Sequence, residues 1–326
     1  MGYGKYTPQV YPLRVAAVQM ESQAGNKDAN FAKIEAFVEQ AANQFVNLIV
    51  FPECCITGYW YIRHLTSQQL ENLAEPIPDG VSTQRLKALS TKYNLSIGVG
   101  LVEVSELGFY NSYVVVQADG KVYCHRKLQA FEHPLIKSGT EYTVFNTPQG
   151  WRVGILICYD NNVNENGRIT ALLGADVILA PHQTGGCRTK NPHLMGLIDR
   201  QLWENRHVDP KAIEREFLGD KGRGWLMRWL PSRAHDNGVF LIFANGVGVD
   251  DDEIRTGNAM VIDPYGRILV ETWEAGDAMI VCDLDGALLE HATGREWMAA
   301  RRPEMYGLLT KRTGIERDTH ELKFDE

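Results

Sequence analysis

Short apolar segments alternate with segments of helical periodicity along most of this chain of 326 residues. A first helix is predicted by apolar residues at the spacing of one helix face, namely Phe31, Ile34, Phe37, Val38, Ala41 and Phe45. Further helices are predicted near residues 82–94 and 166–173, and strands at 13–20, 46–51, 96–102, 112–117, 122–125, 152–157, 176–180, 239–244, 258–263 and 267–272. Strands that alternate with helices, with a hairpin turn at Asp119-Gly120, indicate an α/β fold built in layers.

Residues 187–230 interrupt this alternation. The segment is rich in charged and Trp residues and has helical stretches near residues 192–206 and 210–217. A segment this long between strands is expected to be either a lid over a site or a contact between subunits. We interpret it as an insertion in one domain that spans residues 1–309, followed by a charged tail at 310–326 that packs poorly on its own.

The composition argues against several classes of partner. The chain carries 33 Lys and Arg against 41 Asp and Glu, a formal net charge of −8. This acidic balance argues against nucleic acid and anionic membranes as the main partners. The longest apolar runs have the length of strands, well below the ~20 residues of a membrane helix. Because the start of the chain also lacks the pattern of a signal peptide, we expect a cytoplasmic protein.

The cysteine and histidine positions give no framework for disulfides or metal. The six cysteines are irregularly spaced and include no CxxC motif, which predicts free thiols in a reducing compartment. The nine histidines form no helical pair with the spacing of zinc ligands. We therefore expect neither a metal nor a disulfide-stabilised fold.

Three residues with complementary chemistry, Glu53, Lys127 and Cys158, each follow or end a predicted strand. Loops at strand ends are where α/β proteins place reactive groups. Together the carboxylate would take the thiol proton, and the ammonium and the backbone N–H of Tyr159 would stabilise an oxyanion. Position alone leaves a second interpretation open, in which Cys158 is a small buried hydrophobe and the two charged residues form a surface ion pair.

Short motifs spread in order along the chain resemble those of the carbon–nitrogen hydrolase (nitrilase) superfamily. They are Phe51-Pro52-Glu53, Arg126-Lys127-Leu128, Cys158-Tyr159-Asp160, Gly174-Ala175-Asp176-Val177-Ile178, Arg233-Ala234-His235-Asp236-Asn237, Asn245-Gly246 and Arg302-Pro303 with Tyr306. Each motif alone is weak evidence, whereas the ordered set is highly specific.

The resemblance implies a single-domain αββα sandwich that forms a homodimer or a larger homo-oligomer. It implies a catalytic triad with Glu53 as general base, Lys127 as the oxyanion cation and Cys158 as nucleophile. A second glutamate of the family corresponds to Glu132, and Glu141 is the other candidate. The resemblance implies no metal and no organic cofactor.

The expected activity is hydrolysis of a small linear amide or N-carbamoyl compound through a cysteine thioester, with release of ammonia or an amine. The Cys-Tyr-Asp sequence favours the amidase and carbamoylase branches, because nitrilases proper typically carry Cys-Trp-Glu. Candidate substrate contacts are Asn162, Glu165 and His182. Loop asparagines are more often turn formers, and a hydrogen-bonded structural role for the histidine is at least as common.

Other functions stay open at this point. A nitrilase would use the same triad on R–CN, and an acyltransferase would pass the thioester to an amine or thiol. A nitrilase-like binding protein without turnover is disfavoured by the intact triad. Without the resemblance, a flavodoxin-like binding module would be the alternative, but the loop at 19–26 contains only Gly25 to cradle a phosphate.

Overall fold

The structure is a computed structural model that describes residues 12–324. Its strands are β1 (Leu13–Met20), β2 (Leu48–Val50), β3 (Ser96–Ser105), β4 (Gly108–Val116), β5 (Val122–Arg126), β6 (Ile136–Lys137), β7 (Thr143–Asn146), β8 (Arg152–Ile155), β9 (Val177–His182), β10 (Phe240–Asp250), β11 (Glu253–Thr256), β12 (Met260–Ile262), β13 (Ile268–Glu271) and β14 (Ala278–Leu284). Its α-helices are α1 (Lys27–Asn43), α2 (Ser67–Leu73), α3 (Val81–Tyr93), α4 (Asn164–Leu172), α5 (Arg200–Glu204), α6 (Pro210–Leu218), α7 (Arg223–Leu226), α8 (Leu230–His235), α9 (Thr293–Ala299) and α10 (Thr319–Phe324).

The strands follow the order β5-β4-β3-β2-β1-β10-β9-β8-β7. Strands β1, β2 and β3 are parallel, as are β8, β9 and β10. The two sets meet where Gln19 pairs with Asn245 and Met20 pairs with Gly246. Parallel strands end at a common edge, so the loops after β2 and after β8 are positioned to share a site.

Both faces of β1 are buried. Val15 and Ala17 belong to the cluster between the two sets of strands, where they join residues of β8, β9 and β10. Ala16 and Val18 belong to a second cluster with the apolar faces of α1 and α3. A strand that is covered on both sides is apolar almost without interruption, which explains the sequence of this segment.

Strand β10 shows the same arrangement on the other side of the molecule. Phe240 and Ile242 face the central cluster, whereas Leu241 and Phe243 pack with residues of α7 and α8. The layers are therefore helices, sheet, sheet and helices. The predicted single-domain αββα sandwich is confirmed.

Helix α1 is shorter than its apolar pattern predicts. The helix ends at Asn43, and Phe45 is not part of its buried face but is 84% exposed with a φ of 58°. The backbone N–H of Val46 donates to the carbonyl oxygen of Ala41. The chain reverses here towards β2, and a left-handed residue just after the helix makes this reversal. Apolar periodicity carries no information about such a turn.

The segment at 187–230 contains α5, α6, α7 and the start of α8. The helix predicted near 192–206 is wrong in its first half, where the chain is irregular and Gly196 has a φ of 109°. Trp203 packs with β11 and the end of β10, and the other two tryptophans of the segment are partly buried beside α8 and β10. The segment is thus attached to the second sheet. Its role as a lid or a subunit contact stays a prediction.

Candidate active site

Three strand ends bring a carboxylate, an ammonium and a thiol into one buried cluster. Glu53 follows β2, Lys127 follows β5 and Cys158 follows β8. Glu53 and Lys127 are fully buried, whereas Cys158 is 8% exposed. Cys158 is therefore the residue of these three that keeps some exposed surface.

Lys127 lies between two carboxylates. Its Nζ donates to Oε1 of Glu53 at 2.7 Å and to Oε1 of Glu132. Asn111 in β4 donates through Nδ2 to the same two oxygens, at 2.7 Å for Glu53 and 3.0 Å for Glu132. The structure thus brings Glu132 to the predicted triad, whereas Glu141 is exposed.

The second carboxyl oxygen of Glu53, Oε2, is buried and has no hydrogen-bond partner among residues 12–324. An unpaired buried polar atom costs about 1–3 kcal/mol, which makes it a feature that needs an explanation. Burial, followed by the electrostatic effect of the nearby Cys158, raises the pKa of Glu53 well above its usual value, although Lys127 acts in the opposite direction. A carboxyl group with a raised pKa is suited to exchange a proton during a reaction.

The other two charged groups of the cluster keep their charges. Burial lowers the pKa of Lys127, but the carboxylates of Glu132 and Glu53 and the charge of Cys158 outweigh it, and the net pKa is raised well above its usual value. Burial raises the pKa of Glu132, but Lys127 outweighs it and lowers the pKa overall. The cluster therefore contains a fixed ion pair and one group, Glu53, that is able to titrate.

Cys158 is presented by a strained turn. Its φ of 47° lies in the left-handed region, which a residue with a side chain rarely adopts. Asp160 accepts a hydrogen bond from the backbone N–H of Ile157 at 3.0 Å, and Asn161 donates to the carbonyl oxygen of Leu156 at 2.8 Å. These bonds hold the turn between β8 and α4 in one conformation, and strain of this kind is concentrated at reactive positions.

Aromatic rings enclose the ion pair. The Nζ of Lys127 is 4.5 Å from the ring centroid of Phe131 and 5.8 Å from that of Tyr59. Trp60 stacks on Tyr59 at 5.8 Å, and Phe131 meets the ring of Tyr159 edge-on at 5.8 Å. Such a wall keeps water away from the charges, and electrostatic interactions are stronger where water is excluded.

The structure gives His182 internal contacts. The side chain is 1% exposed, and its Nε2 lies 3.2 Å from Nδ2 of Asn161, which holds the Cys158 turn. Its ring is 4.7 Å from that of Phe243. These contacts favour the structural interpretation of His182, and its role as a substrate contact stays a prediction.

We predict that acidification destabilises the protein through His182. Burial lowers the pKa of His182 to about 3, whereas in the unfolded chain the imidazole titrates near its ordinary pKa of about 6.5. A group whose pKa is depressed by folding stabilises the protein above its unfolded pKa and loses this contribution as the pH falls. Between pH 7 and pH 5 the free energy of unfolding should fall by about 2 kcal/mol from this residue.

Chemical unfolding of the wild type and of His182→Gln at both pH values measures this contribution. Glutamine keeps an acceptor for the amide of Asn161 but does not titrate. The loss in the wild type beyond the loss in the variant is therefore assigned to His182. Equal losses in the two proteins would contradict the prediction.

Two of the predicted substrate contacts lie outside the cluster. Asn162 and Glu165 have exposed side chains. Glu165 lines a surface groove of about 610 Å³ together with Arg233 and Tyr306, and Cys158 is not among its lining residues. The structure therefore does not bring these two side chains to the thiol.

Sequence reasoning missed three residues that shape the site. Asn111 links the two glutamates, and Gln183 donates to the backbone carbonyl of Glu53 at 2.8 Å. A Cβ on Gly100 would lie 2.2 Å from the backbone nitrogen of Cys54, so a glycine is needed where β3 passes the Glu53 turn. An amide side chain next to an apolar strand could have indicated Asn111 as a site residue, whereas no sequence pattern indicates Gln183 or Gly100.

Residues 12–324 contain neither a metal-binding cluster nor a membrane-spanning helix. No group of three His, Cys, Asp or Glu side chains is arranged to hold a metal ion. Across the same residues, none of the helices combines the length and the apolar character needed to span a bilayer.

The fold and this cluster define a hydrolytic enzyme of the α/β class. Residues 14–292 match the family model of the carbon-nitrogen hydrolases. The chain belongs to this family, within the nitrilase superfamily.

Named relatives come from more than one branch of the family. The chain is 28% identical over 262 residues to an (R)-stereoselective amidase of a Pseudomonas species, covering 79% of this chain and 80% of the relative. It is also 28% identical over 277 residues to a nitrilase of Pyrococcus abyssi, covering 84% of this chain and 90% of the nitrilase. A solved structure with a similar fold is that of a mutant amidase from Nesterenkonia sp. AN1, which carries the acetamide moiety of fluoroacetamide on its active-site cysteine. It superposes with a TM-score of 0.64 at 19% identity, and the match covers 93% of this chain and 100% of the amidase chain.

Proposed function

We propose that this chain hydrolyses the C–N bond of a small linear amide or N-carbamoyl compound, with Cys158 as nucleophile and a thioester as intermediate. The observation that carries the proposal is the unpaired Oε2 of Glu53, which belongs to a carboxyl group whose pKa is raised by burial and by the nearby Cys158, a residue that is 8% exposed. Acyl transfer to a thiol needs a group that takes the thiol proton and returns it to the leaving amine.

In the first half-reaction Glu53 takes the proton of Cys158, and the sulfur attacks the carbonyl carbon. The oxyanion that forms is stabilised by Lys127 and by the backbone N–H of Tyr159. The C–N bond then breaks, and Glu53 gives its proton to the departing nitrogen. Ammonia or an amine leaves, and the acyl group remains on the sulfur.

In the second half-reaction water attacks the thioester. Glu53 takes a proton from the water, the C–S bond breaks, and the proton returns to the sulfur as the acid leaves. With a carbamoyl substrate that has lost its amine, this stage releases carbamic acid, which breaks down to carbon dioxide and ammonia. Glu132 and Asn111 act as positioning residues, because they hold Lys127 and Glu53 in the geometry that both half-reactions use.

Nitrile hydrolysis is the second candidate function. The similarity to the nitrilase of Pyrococcus abyssi supports it, and the degree of identity equals that of the Pseudomonas amidase. The Cys-Tyr-Asp sequence at 158–160 favours the amidase branch. The acetamide moiety on the active-site cysteine of the Nesterenkonia amidase mutant is a thioether and not a thioester, and it supports the proposal only in that the cysteine of that protein acts as a nucleophile.

Ammonia release from primary amides, N-carbamoyl amines and nitriles, measured with wild-type and Cys158→Ala protein, tests the proposal. Carbon dioxide is followed for the carbamoyl compounds. We expect release from amides or carbamoyl compounds that depends on Cys158. Ammonia release from nitriles alone would support the second candidate function. If the folded wild type released ammonia from none of these compounds, both candidate functions would be overturned.

A further inference from the structure

The C-terminal tail returns to the mouth of the candidate active site through α10. Oγ1 of Thr319 donates to the backbone carbonyl of Ala130 at 2.7 Å. Nε2 of His320 lies 3.1 Å from the carbonyl oxygen of His133. Both acceptors belong to the loop after β5, which also supplies the second glutamate. The tail is thus fastened to the loop that carries Glu132.

The ammonium group of Lys323 lies over the aromatic wall of the site. Its Nζ is 5.1 Å from the ring centroid of Phe131 and 5.7 Å from that of Tyr159. The ring of Phe131 also borders Lys127, at 4.5 Å, and Tyr159 directly follows Cys158. A cation from the end of the chain is therefore placed over the ring of the residue that follows Cys158.

The other cations near the cluster already have carboxylate partners. Lys127 pairs with its two glutamates, and Arg255 pairs with Asp250 at 2.8 Å and with Glu253 at 2.7 Å. Within the described part of the chain, no carboxylate forms an ion pair with Lys323. Its half-buried ammonium is held by ring contacts and remains available to an anion from solvent.

We infer that Lys323 determines specificity by binding a carboxylate of the substrate, so that the preferred substrates are linear amides that carry an acid group. This inference rests on the proposed function, because it names the substrate class of the same site. A monoamide of a dicarboxylic acid places its carbonyl at Cys158 and its carboxylate at Lys323. The carboxylate gains a charge-assisted hydrogen bond there, whereas a neutral amide leaves the ammonium unpaired.

A purely structural role for Lys323 makes a different prediction. If its contacts with Phe131 and Tyr159 only fastened α10, removal of the charge would affect every substrate to the same degree. Recognition of a carboxylate affects the binding of charged substrates alone. Steady-state kinetics on a matched pair of amides separates the two roles.

The matched pair is glutaramate and pentanamide, which have the same carbon chain with and without the terminal acid. We expect the wild type to prefer glutaramate, and Lys323→Met to raise KM for glutaramate by about 10- to 100-fold with little change in kcat. KM and kcat for pentanamide should stay within twofold of the wild type. Lys323→Arg should retain the preference, and Lys311→Met, on an exposed part of the same tail, should leave both amides unaffected.

The outcomes distinguish the inference from the function on which it rests. Cys158-dependent hydrolysis of pentanamide without a preference for glutaramate, or an equal effect of Lys323→Met on both amides, would overturn the inference alone. If the folded wild type hydrolysed no amide or carbamoyl compound, the proposed function and the inference would fall together.

Discussion

Cys158→Ala is expected to lower kcat by roughly 10⁶-fold, the scale on which a hydrolase loses activity without its nucleophile. Cys54 also borders the cluster, but it is fully buried, its thiol donates to Asn111 at 3.4 Å and burial raises its pKa well above the usual value, so we do not expect it to replace Cys158. The variant should fold, since alanine and cysteine bear the same backbone cost at a φ of 47° and the alanine side chain is smaller. Because Cys158 helps to raise the pKa of Glu53, its removal should also lower that pKa.

Ammonia release and intact mass after treatment with iodoacetamide check this prediction together. The matched control is Cys282→Ala, which removes a half-buried thiol from β14. The control should keep wild-type turnover, and its loss of activity on alkylation should coincide with modification of Cys158. Turnover that persists in folded Cys158→Ala protein would exclude the thioester mechanism.

The positions of Glu53, Lys127 and Cys158 at strand ends were predictable because the strands can be recognised in the sequence. Glu53 and Cys158 follow apolar runs, whereas Lys127 follows β5, a mixed strand that is mostly half-buried. The αββα architecture was predictable from the resemblance carried by the ordered motifs. The physical basis of this architecture is visible in β1, whose neighbouring residues Val15 and Ala16 are buried in different clusters.

The contacts that complete the site were not predictable, because they join residues far apart in the chain. Asn111 and Glu53 are 58 positions apart, and no local pattern indicates that their side chains meet. Thr319 and Ala130 are 189 positions apart. The same limit explains the exposed Glu165, a predicted substrate contact whose side chain lines a surface groove. The spacing of apolar and polar residues predicts strands and turns, whereas tertiary packing determines which side chains meet in the site.

Lys127→Met is expected to lower kcat by about 10³-fold, because the charged donor to the oxyanion is lost. It should also lower the free energy of unfolding by about 3–5 kcal/mol, since Glu53 and Glu132 would remain buried without a cation. The pKa values of both carboxyl groups would rise in the folded variant, because Lys127 lowers both in the wild type. A raised pKa stabilises the fold at low pH and loses that contribution as the pH rises, so the variant should be most defective in alkaline buffer.

The double variant Lys127→Met/Glu132→Gln separates the two effects of Lys127. Glutamine keeps the shape of the second glutamate and removes one of the two like charges, so the double variant should regain part of the lost stability. It should not regain activity, because the oxyanion still lacks its cation. Thermal unfolding and kcat per folded molecule check both expectations. A merely twofold loss of kcat in the folded double variant would show that Lys127 is a structural partner of the two carboxylates and that the oxyanion is stabilised by other groups.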